Sequence, residues 1–107
     1  MKRMIWRLSL TFSVASVAMA AGNPTAGKAA YDKSCKGCHG ADGTPSAAIA
    51  KAMKVQMLPL GDPAVQKLSD EELNAITTNG KGKMKAMKAV SGKTADDVVA
   101  YVRTFKK

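Results

Sequence analysis

The segment Cys35-Lys36-Gly37-Cys38-His39 holds both cysteines and the single histidine of this 107-residue chain. The spacing C-x-x-C-H is that of a c-type haem attachment site. Two thiols three positions apart can each add across one vinyl group of a porphyrin, and the imidazole that follows is left facing the iron. Competing chemistries need residues that the chain lacks. A structural zinc site takes four protein ligands, usually with a second Cys or His pair elsewhere, and no such pair exists here. A redox dithiol of the thioredoxin type belongs beside alternating strands and helices, and no strand pattern is present. A disulfide between residues three apart closes too small a loop to stabilise a fold by chain entropy. The motif therefore implies one covalent haem c, with Cys35 and Cys38 as thioether donors and His39 as the proximal iron ligand.

The compartment follows from other residues. Lys2, Arg3 and Arg7 precede an apolar run from Leu8 to Ala18, and Ala18-Met19-Ala20 is a small-x-small cleavage signal. Residues 1–20 read as a secretory signal peptide cleaved after Ala20 or Ala21, which leaves residues 21–107 as one mono-haem domain. The apolar run is shorter than the roughly 20 residues that span a bilayer, and no second run of that kind follows. The mature chain is therefore expected in the periplasm, soluble and without a membrane span, or anchored if the signal stays uncleaved. Eighty-seven residues make a marginal core by themselves. A large apolar ring bound at two points supplies the missing centre, so the haem-free chain is expected to be largely unfolded.

The elements that must position the motif are helical. Thr25 or Asn23 can cap a first helix over residues 26–36 that runs into Cys35, with Ala29, Ala30 and Tyr31 on its apolar side and Gly27 offering close approach. Residues 40–62 contain Gly43, Pro45, Pro59 and Gly61 and read as loop with one short helical stretch over 46–53. Ser69 and Glu72 form a capping box, with Leu68 and Leu73 placed as a hydrophobic staple, for a helix over 70–78 that stops at Asn79-Gly80. Thr94 and Asp97 form a second capping box before Val98, Tyr101, Val102 and Phe105 at helical spacing. Tyr31 and Tyr101 fall on the apolar sides of their helices and read as packing residues rather than redox participants.

A signal peptide, a helix entering Cys35-Lys36-Gly37-Cys38-His39-Gly40, a capped helix ending in Asn79-Gly80-Lys81-Gly82-Lys83-Met84 and a terminal helix ending Tyr101-Val102-Arg103 together resemble a small class I c-type cytochrome over the whole mature chain. That resemblance implies an all-α fold of three to four helices around one covalent haem, with N- and C-terminal helices crossing at Gly27, Tyr31 and Tyr101. It also implies that a backbone carbonyl near Pro45 accepts the ring N–H of the proximal histidine, a bond that orients the imidazole.

With His39 the only histidine, a bis-histidine iron is excluded, and methionine is the natural sixth ligand because its soft thioether favours ferrous iron. Met53, Met57, Met84 and Met87 lie outside the signal peptide. The position within the family selects Met84, with Met87 second. The chain departs from the family pattern at Lys85, where a proline commonly follows the axial methionine.

Charge points to partners. The full chain carries +9, and loss of Lys2, Arg3 and Arg7 leaves 14 basic against 8 acidic residues, a net +6, which two haem propionates would bring to +4. Lys81, Lys83, Lys85, Lys88 and Lys93 occur in a stretch without an acid between residues 73 and 95. A basic loop at the haem edge can steer the protein onto an acidic patch of a redox partner. Nucleic acid is not an expected partner, because aromatic interleaving and recognised motifs are missing. The sequence thus reads as a monomeric electron carrier with no catalytic residue, moving single electrons in a respiratory or related chain. Two alternatives stay open: a haem protein whose sixth site is free or labile for peroxide or gas ligands, and a cytochrome subunit of a larger dehydrogenase or oxidase complex.

Overall fold

In a computed structural model, residues 22–106 are described. The expected signal peptide over residues 1–20 lies outside them. The described chain forms six helices: α1 (Pro24–Ser34), α2 (Lys36–His39), α3 (Ala47–Met53), α4 (Pro63–Gln66), α5 (Asp70–Asn79) and α6 (Gly92–Arg103). No strand occurs among the described residues; Lys81 and Met84 form an isolated antiparallel bridge. The all-α expectation holds. The helix count exceeds the expected three to four because α2 and α4 are single turns of four residues.

Local chemistry accounts for the helix starts. Of the two candidate caps for α1, Asn23 is used: its Oδ1 accepts from the N–H groups of Thr25 and Ala26 at 2.8 and 3.2 Å, and Pro24 occupies the first helical position. The helix closes at Ser34 rather than 36, and the chain re-enters a helical turn at Lys36. Ser46 caps α3 through the Ile49 N–H, and Ser69 caps α5 through the Glu72 N–H at 3.1 Å. Helix α5 ends at Gly80 as its Asn-Gly pair predicts.

The expected capping box at Thr94 and Asp97 does not form. Helix α6 starts earlier, at Gly92, so Thr94 lies inside its first turn and Ser91 stands at the cap without a side-chain bond. The carboxylate of Asp97 is drawn elsewhere, accepting the Asn23 N–H at 2.7 Å and pairing with Lys93 at 3.2 Å. A group expected to serve its own helix instead fastens the start of α1 to α6.

That contact opens the helix crossing. A methyl at Gly27 would overlap the Asp97 carbonyl oxygen, so the α1 and α6 backbones touch where only hydrogen fits. One turn further, Tyr31 meets Tyr101 and Phe105 edge-on with ring centroids 5.2 and 5.5 Å apart, and Tyr101 meets Phe105 at 5.0 Å. Each such pair contributes about 0.5–1.5 kcal/mol beyond area burial. The core gathers Tyr31, Cys35, Val90, Ala95, Val98 and Val102. Helix α5 is joined to α6 by Asn74 Nδ2 donating to Asp96 Oδ1 at 2.7 Å. Arg103 donates to the carbonyls of Gln66 and Leu68 at 2.7 and 2.6 Å as well as to Asp70. With Asp70 largely exposed, the carbonyl bonds matter more than the ion pair, since exposed pairs contribute about 0–1 kcal/mol.

Two outcomes follow. Gly27→Ala forces the crossing helices apart and lowers holoprotein stability by at least about 2 kcal/mol, on the order of 10 °C in Tm by calorimetry. The Asn23 N–H, seconded by Lys93, holds the Asp97 carboxyl below the usual carboxylate range despite its burial. Its contribution is then present above the unfolded value of about 3.9 and is lost as pH falls through the lower folded value. Asp97→Asn is less stable than the parent at pH 7 and loses less Tm between pH 7 and pH 3; an equal loss in both proteins contradicts this assignment.

Candidate functional site

Helix α1 delivers the motif and a tight turn shapes it. Cys35 sits at the junction of α1 and α2, buried, with its N–H bonded to the Tyr31 carbonyl at 2.8 Å. One turn later the His39 N–H bonds the Cys35 carbonyl at 3.0 Å, and the thiols of Cys35 and Cys38 remain free. Helical spacing sets residues 35, 38 and 39 on neighbouring positions of one turn, the disposition needed to meet a single ring at three points. Gly40, with φ of 75°, ends the turn, and a methyl there would overlap the Thr44 carbonyl oxygen. The Ser46 N–H then returns to the Cys38 carbonyl at 2.9 Å, closing a loop beneath the motif.

The electrostatics suit haem chemistry. Burial pushes the Cys35 thiol up, with the neighbouring Cys38 adding to the effect. Burial also lowers the His39 pKa, so the imidazole is neutral at pH 7, the form that coordinates a metal. The His39 Nδ1 atom is sealed from water and has no hydrogen-bond partner. No carbonyl near Pro45 accepts from this nitrogen; the loop meets the motif through the backbone bond from Ser46 to Cys38.

The methionines differ in setting. Lys81 and Met84 exchange two backbone bonds, at 3.1 and 3.0 Å, around a two-residue turn in which Gly82 has φ of 57°, a primed hairpin turn. Met84 is half-buried at the foot of this hairpin. Met87 is tied to α5 by its N–H bond to the Thr77 carbonyl at 3.0 Å, and its side chain packs against the core cluster that contains Tyr31 and Cys35. Met53 ends α3 and Met57 lies in the loop beyond; both are half-buried.

A third feature concerns apolar surface. Ile49, Met53, Val55, Met57 and Ile76 are half-buried and Leu58 is 46 % exposed, all outside the core cluster. A flat apolar ring fits a chain that leaves this much apolar surface uncovered. Among the described residues no three His, Cys, Asp or Glu side chains gather to hold a bare metal ion. Cys35, Cys38 and His39 are thus the residues that could hold a haem, with a methionine thioether as the available soft ligand. Lys81, Lys83, Lys85, Lys88 and Lys93 are all exposed, and no helix among the described residues is long and apolar enough to cross a membrane.

Sequence reasoning missed one bond at the motif. The Tyr31 hydroxyl donates to the Gly40 carbonyl at 2.6 Å, although Tyr31 reads from sequence only as a helix-crossing residue. The signal was its position, one helical turn before Cys35.

Comparison with known proteins agrees with this geometry. The family described as cytochrome c oxidase, cbb3-type, subunit III, matches residues 22–102. A solved structure, KustC0563 c-type cytochrome, is 30% identical with a TM-score of 0.63, over 76% of this chain and 98% of that one. No curated protein matches the chain. An all-helical chain with this motif and these likenesses is a haem c electron carrier rather than an enzyme, and it belongs to the cbb3-type subunit III family of c-type cytochromes.

Proposed function

We propose that the protein is exported to the periplasm by a signal peptide over residues 1–20, and that residues 21–107 carry single electrons through a haem held between His39 and Met84. The observation that carries this reading is the 35–40 turn, which combines two free thiols with a neutral, water-shielded imidazole. When bound, the haem supplies an iron that alternates between ferric and ferrous states.

The chain's own residues do the rest. Cys35 and Cys38 add to the vinyl groups as thioethers, which prevents loss of the group. Neutral His39 would supply a nitrogen lone pair to the iron. Met84 is supported as the other ligand by its place outside the core cluster, at the foot of a hydrogen-bonded hairpin, whereas Met87 is occupied in packing. A thioether favours the ferrous state and raises the potential. With His39 and Met84 both holding the iron, no substrate would have to reach it, and ligands fixed by the chain would favour exchange of single electrons.

The five exposed lysines of the 81–93 stretch support docking of the monomer onto an acidic patch of a redox partner. A second reading, that the chain is a subunit of an oxidase complex rather than a diffusing carrier, is favoured by the description of its family. Co-purification with other chains at high salt supports the subunit; its absence supports the carrier.

The ferric wild-type spectrum is expected to be low-spin with a weak long-wavelength methionine band. Met84→Ala abolishes that band and Met87→Ala retains it; the reverse pattern makes Met87 the ligand, and a high-spin wild type means an open sixth site. Electron transfer to an acidic partner slows by at least about tenfold between 10 mM and 200 mM salt if the lysines steer encounter. A rate indifferent to salt contradicts the steering role.

A further inference from the structure

Tyr31 holds both ends of the 35–40 turn. Its carbonyl accepts the Cys35 N–H at 2.8 Å, and its hydroxyl donates to the Gly40 carbonyl at 2.6 Å. It is also the largest fully buried side chain among the described residues, at 0 % exposure, with its ring set edge-on against Tyr101 of α6 and Phe105 just beyond that helix. Phenylalanine would fill the same space between those rings. A hydroxyl taken out of water costs free energy unless it is bonded, so what distinguishes tyrosine from phenylalanine here is the bond to Gly40.

The carbonyl that this bond fixes belongs to Gly40, the residue directly after His39. A metal-bound histidine ordinarily has its second ring nitrogen held by a carbonyl, carboxylate or water, which sets the plane of the ring. In this chain the His39 Nδ1 has no such partner. The backbone that carries the ring is then the part of the chain placed to orient it. That backbone is held on one side by the His39 N–H bond to Cys35 and on the other by Gly40, whose carbonyl is anchored by the phenol.

We infer that Tyr31 is a positioning residue of the haem site, its hydroxyl setting the orientation of the His39 imidazole by anchoring Gly40, the residue that ends the His39 turn. This rests on the reading of His39 as the proximal ligand. The bond links the α1–α6 crossing to the residue that follows the ligand, so the packing that makes the fold also tunes the iron. Loss of the donor returns electron density to the carbonyl of the residue after the ligand, which favours ferric iron and lowers the potential.

The test compares holoprotein of the wild type, Tyr31→Phe and Tyr101→Phe. The last removes a hydroxyl from the same aromatic cluster without touching the motif. Ferric-state proton NMR reports the haem-methyl shifts, which follow axial-ligand orientation, and the His39 β-proton shifts; voltammetry reports the midpoint potential. Tyr31→Phe is expected to change the haem-methyl pattern and to lower the potential, while Tyr101→Phe leaves both near wild type. Incorporation of 4-aminophenylalanine at position 31, which restores an N–H donor, is expected to bring the pattern back toward wild type.

A Tyr31→Phe protein that loses thermal stability but keeps the wild-type pattern and potential overturns the inference and leaves Tyr31 a packing residue. If Tyr31→Phe gives no holoprotein, the 4-aminophenylalanine protein decides. Recovery of haem with the wild-type pattern supports the inference, and failure to recover overturns it. Absence of coordinated-imidazole signals from the wild type itself contradicts the ligand reading and this inference together. Their presence in the wild type, unchanged in Tyr31→Phe, removes only the role of Tyr31.

Discussion

A rigid, flat cofactor that must be met at three points within five residues imposes the constraint on which the rest of the chain depends. Two thiols and an imidazole reach one ring only if the backbone between them makes a single helical turn, and α2 is that turn. A four-residue helix does not persist in water by itself, because nucleation is unfavourable and few bonds reward it. Its neighbours hold it. Helix α1 feeds Cys35 from a bonded turn, Gly40 reverses the chain where a side chain would strike Thr44, and Ser46 returns to the Cys38 carbonyl.

The crossing of α1 and α6 serves the same end from further away. Glycine at position 27 lets the two backbones touch, and this brings the rings of Tyr31, Tyr101 and Phe105 together directly beside the motif. Asp97 reinforces the contact by holding the start of α1 against α6. The core so formed is small, and Ile49, Met53, Val55, Met57, Leu58 and Ile76 remain outside it. Apolar side chains arranged in this way are not a finished interior of the polypeptide. A ring held at α2 would cover apolar surface of this kind.

Much of this was legible from local chemistry. The motif declares itself because the chain has no other histidine or cysteine, and the Ser69 cap and Asn79-Gly80 stop of α5 depend only on neighbours in sequence. The crossing at Gly27, Tyr31 and Tyr101 was also readable, through the family likeness. What escaped was decided by partners distant in sequence. Asp97 has the spacing of a capping box, yet the Asn23 N–H, 74 positions away, competes for its carboxylate and wins. The end of α4 and the chain just after it are fixed by Arg103 reaching the carbonyls of Gln66 and Leu68 across 37 and 35 positions. The unpaired His39 Nδ1 and the Tyr31 bond to Gly40 both depend on how the loop after Gly40 folds back, and no periodicity records that.

The claim at the centre of this account is that Cys35 and Cys38 bind one haem covalently in the exported chain. Intact mass spectrometry of the protein from a periplasmic fraction, denatured in acid and treated with a thiol-alkylating reagent, tests it most directly. The account predicts a chain beginning at Ala21 or Gly22 that carries the mass of one haem and takes up no alkyl group. A haem-free chain with two alkylated cysteines would contradict it.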